Sequence, residues 1–129
     1  MHQRTVDARW AGAMKTVVMA GEHEIIVDEP ATAGGTDAGP QPTDLFLASI
    51  ASCFTLAMAF AARRRDVELT DLGVRVVGTY EGLQFTRIEI FVRSAQAAGI
   101  LEELVPEAER VCYVTNTLRE SPEIVIGLG

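Results

Sequence analysis

Val6, Ala8 and Trp10 alternate with polar neighbours, the two-residue period of a strand with one face on a core. Residues 14–20 and 23–28 continue the pattern and meet near Gly21, which predicts a run of three strands. Residues 29–41 break it. They hold Pro30, Gly34, Gly35, Asp37, Gly39 and Pro40 and read as a connector. Neither a Gly-Lys-Ser/Thr ending nor dinucleotide-binding spacing is present, so phosphate binding is not expected there.

From residue 43 to about residue 64 the chain is apolar on nearly every side, which predicts one long helix. Pro42 or Thr43 can open it, and Asp44 lies in its first turn, where an anion is favoured. Its length is near the lower limit for a membrane span. Ser49, Ser52, Thr55 and the short strands on both sides favour a central buried helix instead, and no membrane partner is expected. Val74, Val76, Gly78 and Tyr80 predict a fourth strand. Ile88, Ile90 and Val92 predict a fifth, with Arg87, Glu89 and Arg93 facing water. Leu101, Leu104, Val105, Ala108, Val111 and Cys112 recur at helical spacing, and Pro106 either kinks that helix or begins a second one. Residues 123–128 read as a last strand. The order β-β-β-α-β-β-α-β predicts an α+β fold, and 129 residues suit a single domain.

A helix apolar on all sides needs cover on the face turned away from the sheet. The second helix is shorter and carries a proline, so a second copy of the chain is the economical cover, and a homodimer is expected. Hydrophobic residues make up 48 % of the chain and its formal charge is −7, which argues against nucleic acid as a partner. The only basic run, Arg63 to Arg65, suits a helix C-terminus. No apolar secretory segment follows Met1, and two cysteines are too few for a disulfide scaffold, so a cytoplasmic, reducing location is expected.

Those cysteines are Cys53, mid-helix, and Cys112, on the apolar stripe of the second helix. Buried free cysteine is often only a small hydrophobe. Metal binding is not predicted: His2 is terminal, His23 lies in a strand, and no Cys-x-x-Cys pair exists. No cofactor is called for. A reactive Cys53 would need a cation brought to it, because it lies too deep in its helix to use the N-terminus. Arg9 and Lys15 are the candidates, with Asp44 to orient one of them. Nine helical residues separate Asp44 from Cys53, about 180° around the axis and about 13.5 Å along it. One site using both therefore needs a bridging side chain or Asp44 from a partner subunit.

Residues 34–53 carry Gly34, Gly35, Asp37, Gly39, Pro40, Pro42, Asp44, Leu45, Leu47, Ala48 and Cys53 in order. This stretch resembles the OsmC/Ohr family pattern Gly-Gly-x-Asp-x-Gly-Pro-x-Pro-x-Glu-Leu-Leu-Leu-Ala-x-x-x-x-Cys. The segment Cys112-Tyr113-Val114-Thr115-Asn116 resembles that family's second cysteine motif, and residues 9–15 are similar to the N-terminal segment of its OsmC-like branch. The resemblance implies an intertwined homodimer with central helices and sites at the interface. It implies a thiol-dependent peroxidase for organic hydroperoxides, in which Cys53 becomes a sulfenic acid, Cys112 resolves it as a disulfide, and a dithiol restores both. Phe46, Phe54 and Tyr113 are the expected apolar contacts for the substrate. Four positions depart from the pattern: Asp44 stands for Glu, Thr43 stands where the hydroperoxide reductases carry their acid, Lys15 is the nearest match to an arginine, and Tyr113 replaces a proline. These departures feed an alternative, a non-catalytic dimer that senses oxidation or binds a hydrophobic ligand.

Overall fold

The computed structural model describes all 129 residues, Met1–Gly129. Its contacts group into two compact units, Met1–Phe46 and Leu47–Gly129.

The first unit is an antiparallel meander of β1 (Val6–Trp10), β2 (Thr16–Ala20) and β3 (His23–Val27). Ala8 faces Val18, and Val18 faces Ile25 across the sheet. The β1–β2 turn is closed by Ala11 N–H to the Lys15 carbonyl (2.9 Å) and by the Trp10 indole N–H to the Ala13 carbonyl (2.9 Å). After β3 the chain enters the connector, where Asp28 is buried to 1 % exposure. A buried carboxylate needs donors, and Asp28 has four. Its Oδ1 accepts from Glu29 N–H (2.8 Å), and its Oδ2 from Thr36 Oγ1 (2.7 Å), Thr36 N–H (3.2 Å) and Ala38 N–H (3.1 Å). These bonds hold the Asp28 carboxyl down at about 2, against burial, which pushes it up. The connector contains a single short 3-10 turn, Ala31–Ala33. Its glycines are needed for close approach: a Cβ at Gly35 would lie 1.9 Å from the Glu29 carbonyl oxygen, and one at Gly39 2.1 Å from that of Ile26.

The helix α1 (Pro42–Arg64) begins in the first unit and runs through the second. Leu45 N–H reaches the Gln41 carbonyl (3.1 Å), and proline at the first position gives up only a donor the helix would leave unpaired. By length and composition α1 could cross a bilayer, but its buried residues form one stripe, Ile50, Phe54, Ala57, Met58, Ala61 and Ala62. Leu56, on the opposite side, is 70 % exposed, and this is the face for which a second copy is the expected cover. One layer of neighbours covers one stripe and no more.

The rest of the second unit is the hairpin β4 (Gly73–Glu81) and β5 (Gln84–Arg93), then α2 (Ala98–Val111) and α3 (Tyr113–Arg119). The core joins α1 to α2 through Phe54, Ala57, Met58, Ala61 and Ala62 against Leu104, Ala108 and Cys112, with Val74, Ile90 and Val92 packed beside them. Leu104 is the largest α2 side chain in this core, at 1 % exposure. Truncating Leu104 to Ala should therefore cost about 2–5 kcal/mol, read as the denaturation midpoint of the whole chain. The basic run at the end of α1 is bound to α2: Arg65 Nε lies 3.1 Å and Arg64 Nε 3.8 Å from the Glu107 carboxylate.

Pro106 lies inside a continuous helix, so of the two alternatives it does not begin a second one. Two expectations need correction here. The helix break falls at Cys112, whose extended backbone (φ −83°, ψ 103°) closes α2 and opens a third helix, α3, that the sequence pattern did not predict. Residues 123–128 form no strand. A strand needs a ladder partner, and Ile124, Val125, Ile126 and Leu128 lie exposed without one.

Candidate active site

Cys53 lies mid-way along α1, half-buried, and Cys112 lies at the α2–α3 junction with none of its surface exposed. Each sulfur is among the groups that move the other's titration. The junction explains how. Because Cys112 is extended, the chain reverses into α3, and Asn116 N–H closes the new turn on the Cys112 carbonyl (3.0 Å). That leaves the first amides of α3, which have no helical partner, aimed at sulfur.

The consequences differ for the two thiols. Burial pushes the Cys112 thiol up, but hydrogen bonds from the Thr115 hydroxyl, the Thr115 N–H, Cys53 and the Val114 N–H outweigh it, and the net direction is down. The Thr115 hydroxyl also lies 3.4 Å from the Cys112 carbonyl, so one proton has two acceptors. For Cys53, burial again pushes up and the Val114 N–H pulls down. The hydrogen bond and like charge of Cys112 push up again, against the Tyr113 N–H, and the net direction is up. Of the two thiols, Cys112 is the one whose anion the surroundings favour.

Beside Cys53 is a cavity of about 730 Å³. Its apolar wall is Leu56, Ala57, Phe60 and Val111; Arg110, Tyr113 and Asn116 complete it. Three of these are the residues three, four and seven after Cys53, so the helical period that placed the cysteine also held the wall. Sequence reading missed Leu56, Phe60, Arg110 and Asn116 because it treated each cysteine singly rather than with its helical neighbours.

Of the expected substrate contacts, Tyr113 lines this cavity. Phe54 does not. It is next to Cys53 in sequence, hence about 100° around the helix, and it lines a different cavity of about 510 Å³ with Ile88, Phe91 and Glu109. Phe46 ends the first unit and is 36 % exposed. Arg9 is exposed on β1, Lys15 is half-buried before β2, and Asp44 is exposed in the first turn of α1; all three belong to the first unit. There Lys15 borders a small cavity with Trp10, Glu29 and Pro42.

Comparison with solved structures gives the same fold. An OsmC-like protein from Mycoplasma pneumoniae matches with a TM-score of 0.80 at 16 % identity, covering 93 % of this chain and 89 % of that one. The organic hydroperoxide resistance protein OhrB of Bacillus subtilis matches with a TM-score of 0.68 at 23 % identity, covering 93 % of each chain. An organic hydroperoxide resistance protein from Elizabethkingia anophelis gives 0.69 at 21 %, covering 94 % and 91 %. No curated protein matches the sequence. Residues 35–127 match the family described as OsmC-like protein, a span that takes in both cysteines and every element from α1 onward, and the chain belongs to the OsmC-like family.

Proposed function

We propose that this protein is a thiol-dependent peroxidase for organic hydroperoxides, with Cys53 as the attacking sulfur and Cys112 as the resolving one. One arrangement carries the reading: a thiol facing a cavity, with a wholly buried second thiol that acts on its titration. Access sets the order of events, because a substrate in the cavity meets Cys53 and not Cys112.

A proton shared between the two thiols is the proposed activation. Cys112, whose anion its surroundings favour, takes the Cys53 proton in its thiolate form as Cys53 engages the peroxide. The Cys53 sulfur attacks the terminal peroxide oxygen, an S–O bond forms and the O–O bond breaks. The departing alkoxide takes the proton from Cys112 and leaves as the alcohol. Cys53 is then a sulfenic acid and Cys112 a thiolate again. Cys112 attacks the sulfenic sulfur, hydroxide leaves and is protonated to water, and a Cys53–Cys112 disulfide remains. A dithiol reductant returns both thiols and becomes a disulfide itself. The apolar wall of Leu56, Ala57, Phe60 and Val111 favours alkyl or aryl hydroperoxides over hydrogen peroxide. Lys15 or Arg9, oriented by Asp44, is the proposed source of further positive charge for the thiolate. A reducing, cytoplasmic location fits two free cysteines.

The working form is proposed to be a homodimer. Its support is the uncovered apolar surface, Leu56 and Phe60 on α1 and the run from Ile124 to Leu128. A sedimentation mass of a single chain at micromolar concentration would remove this part of the proposal.

The central test is cumene hydroperoxide consumption with dithiothreitol. Cys53→Ser should abolish it. Cys112→Ser should be oxidised once and stop at a sulfenic acid that dimedone traps. Labelling of Cys112 in Cys53→Ser, with none of Cys53 in Cys112→Ser, would reverse the roles. The upward push on the Cys53 thiol favours a second reading, a non-catalytic redox sensor or binding module; no labelling in either variant would support that reading instead.

A further inference from the structure

Five arginines stand on or beside the three helices, Arg63, Arg64, Arg65, Arg110 and Arg119; three of them are matched to a carboxylate, and Arg63 stands with Arg64 over the Phe60 ring (5.9 Å). Arg64 and Arg65 take Glu107, and Arg65 also reaches Glu103 (3.7 Å). Arg119 takes Glu109 (3.5 Å). Arg110 forms no ion pair, although it shares α2 with four glutamates. It is instead the one charged residue lining the Cys53 cavity, whose lining contains no carboxylate. Its backbone is fixed by the Asn116 side-chain amide, which donates to the Arg110 carbonyl (3.1 Å) from the same cavity wall.

We infer that Arg110, seated with Asn116, is an anion subsite in the cavity of Cys53, so that the preferred substrate is an apolar body carrying a carboxylate. The inference deepens the peroxidase reading and rests on it for the word substrate. A guanidinium beside apolar walls grips a planar carboxylate through two parallel N–H bonds. The surrounding chain carries a formal charge of −7 and repels anions at long range. Arg110, the one cation in the lining, is therefore the nearest counter-charge an anionic molecule meets on its way to the thiol. A volume of about 730 Å³ holds an aromatic or alkyl body together with its acid group.

The test reads selectivity rather than rate, so a change in thiol acidity cancels. Cys53 is alkylated with iodoacetate and, separately, with iodoacetamide, and both rates are read from the Cys53 peptide by mass spectrometry. The ratio of anionic to neutral reagent should fall about fivefold in Arg110→Gln, the scale of one charge pair at close range in water. It should be kept in Arg110→Lys and in Arg119→Gln, whose arginine lines the other cavity. An unchanged ratio in Arg110→Gln overturns the inference, as does an equal fall in Arg119→Gln. A second arm holds dithiothreitol constant and compares para-carboxy cumene hydroperoxide with its methyl ester. The wild-type preference in kcat/KM for the acid should collapse in Arg110→Gln; an intact preference also overturns the inference. If neither hydroperoxide is consumed by wild type while the alkylation ratio falls in Arg110→Gln, the anion subsite stands and the peroxidase reading fails. If both are consumed and the ratio does not move, the reverse holds.

Discussion

Asp28 and Cys112 are held by almost the same device, and the outcome differs because the held group differs. Each is nearly or wholly buried, and each receives backbone N–H groups and a threonine hydroxyl from a chain that has just turned. A carboxyl starts as an acid, so its cradle makes an anion that persists over the whole ordinary pH range. A thiol starts far weaker, so the same kind of donors bring its titration down from a high starting point. Hydrogen bonds to a charged form are worth more than those to a neutral one, but whether they freeze a structure or arm it depends on where the bare group titrates.

The harshest way to break the comparison is to fill the space the connector needs. In Gly39→Ala the new Cβ meets a backbone oxygen that cannot rotate away. The cost should exceed the about 1–3 kcal/mol of ordinary overpacking. Thermal melting and proteolysis within residues 29–41 measure it. Asp28→Asn should be next. It keeps the shape but loses the charge, and its amide cannot accept as the carboxylate does. The pH dependence follows from the lowered value. A carboxyl at about 2 when folded and 3.8 when free stabilises fully above the latter, and this contribution is lost as pH falls through the former. The variant should lose that acid-limb slope and show faster exchange of the Thr36 and Ala38 amides; an unchanged slope would mean the carboxylate does not latch the loop.

Smaller effects should attend the thiol cradle, because only one of several donors is removed at a time. Thr115→Val deletes one hydrogen bond to Cys112 and should raise its thiol, seen by following thiolate absorbance against pH. Cys112→Ser should lower the Cys53 thiol, since it removes the neighbouring charge that pushes it up. The rate of Cys53 alkylation at a pH below its titration reads this directly. A Cys53 thiol that stays where it was would mean burial alone sets it, and the picture of a shared proton would fall.

Much of this was legible in the sequence. Strands β1 to β5 and the helix α1 follow from period and punctuation, with ends displaced by a few residues, since fraying and capping leave little trace in composition. Position 112 was marked, but as part of a helical stripe. Nothing local forbids α2 from running on into α3; the break depends on Cys112 adopting an extended backbone, which is set by what surrounds it. The strand expected at 123–128 illustrates the opposite limit, because Ile124, Val125 and Ile126 record a preference for pairing without recording with what. Within the site, the two cysteines were found from the pattern. Arg110 was not, since an arginine near a helix end looks like any other until its neighbours are seen to be matched elsewhere.

The uninterrupted passage of α2 across Pro106 has a consequence for how the chain assembles in time. Proline cannot donate to the carbonyl four residues back and crowds it as well. With Gly99 near its start, α2 has little capacity to grow as an isolated helix. Residues 45–62 of α1 contain neither glycine nor proline and are rich in alanine and leucine. The expected order on folding is that α1 nucleates and α2 becomes helical as Leu104 and Ala108 dock on it. Substitutions along the α1 stripe should slow folding, whereas those at Leu104 should chiefly hasten unfolding. The helix that carries Cys53 would thus exist before Cys112 arrives to meet it.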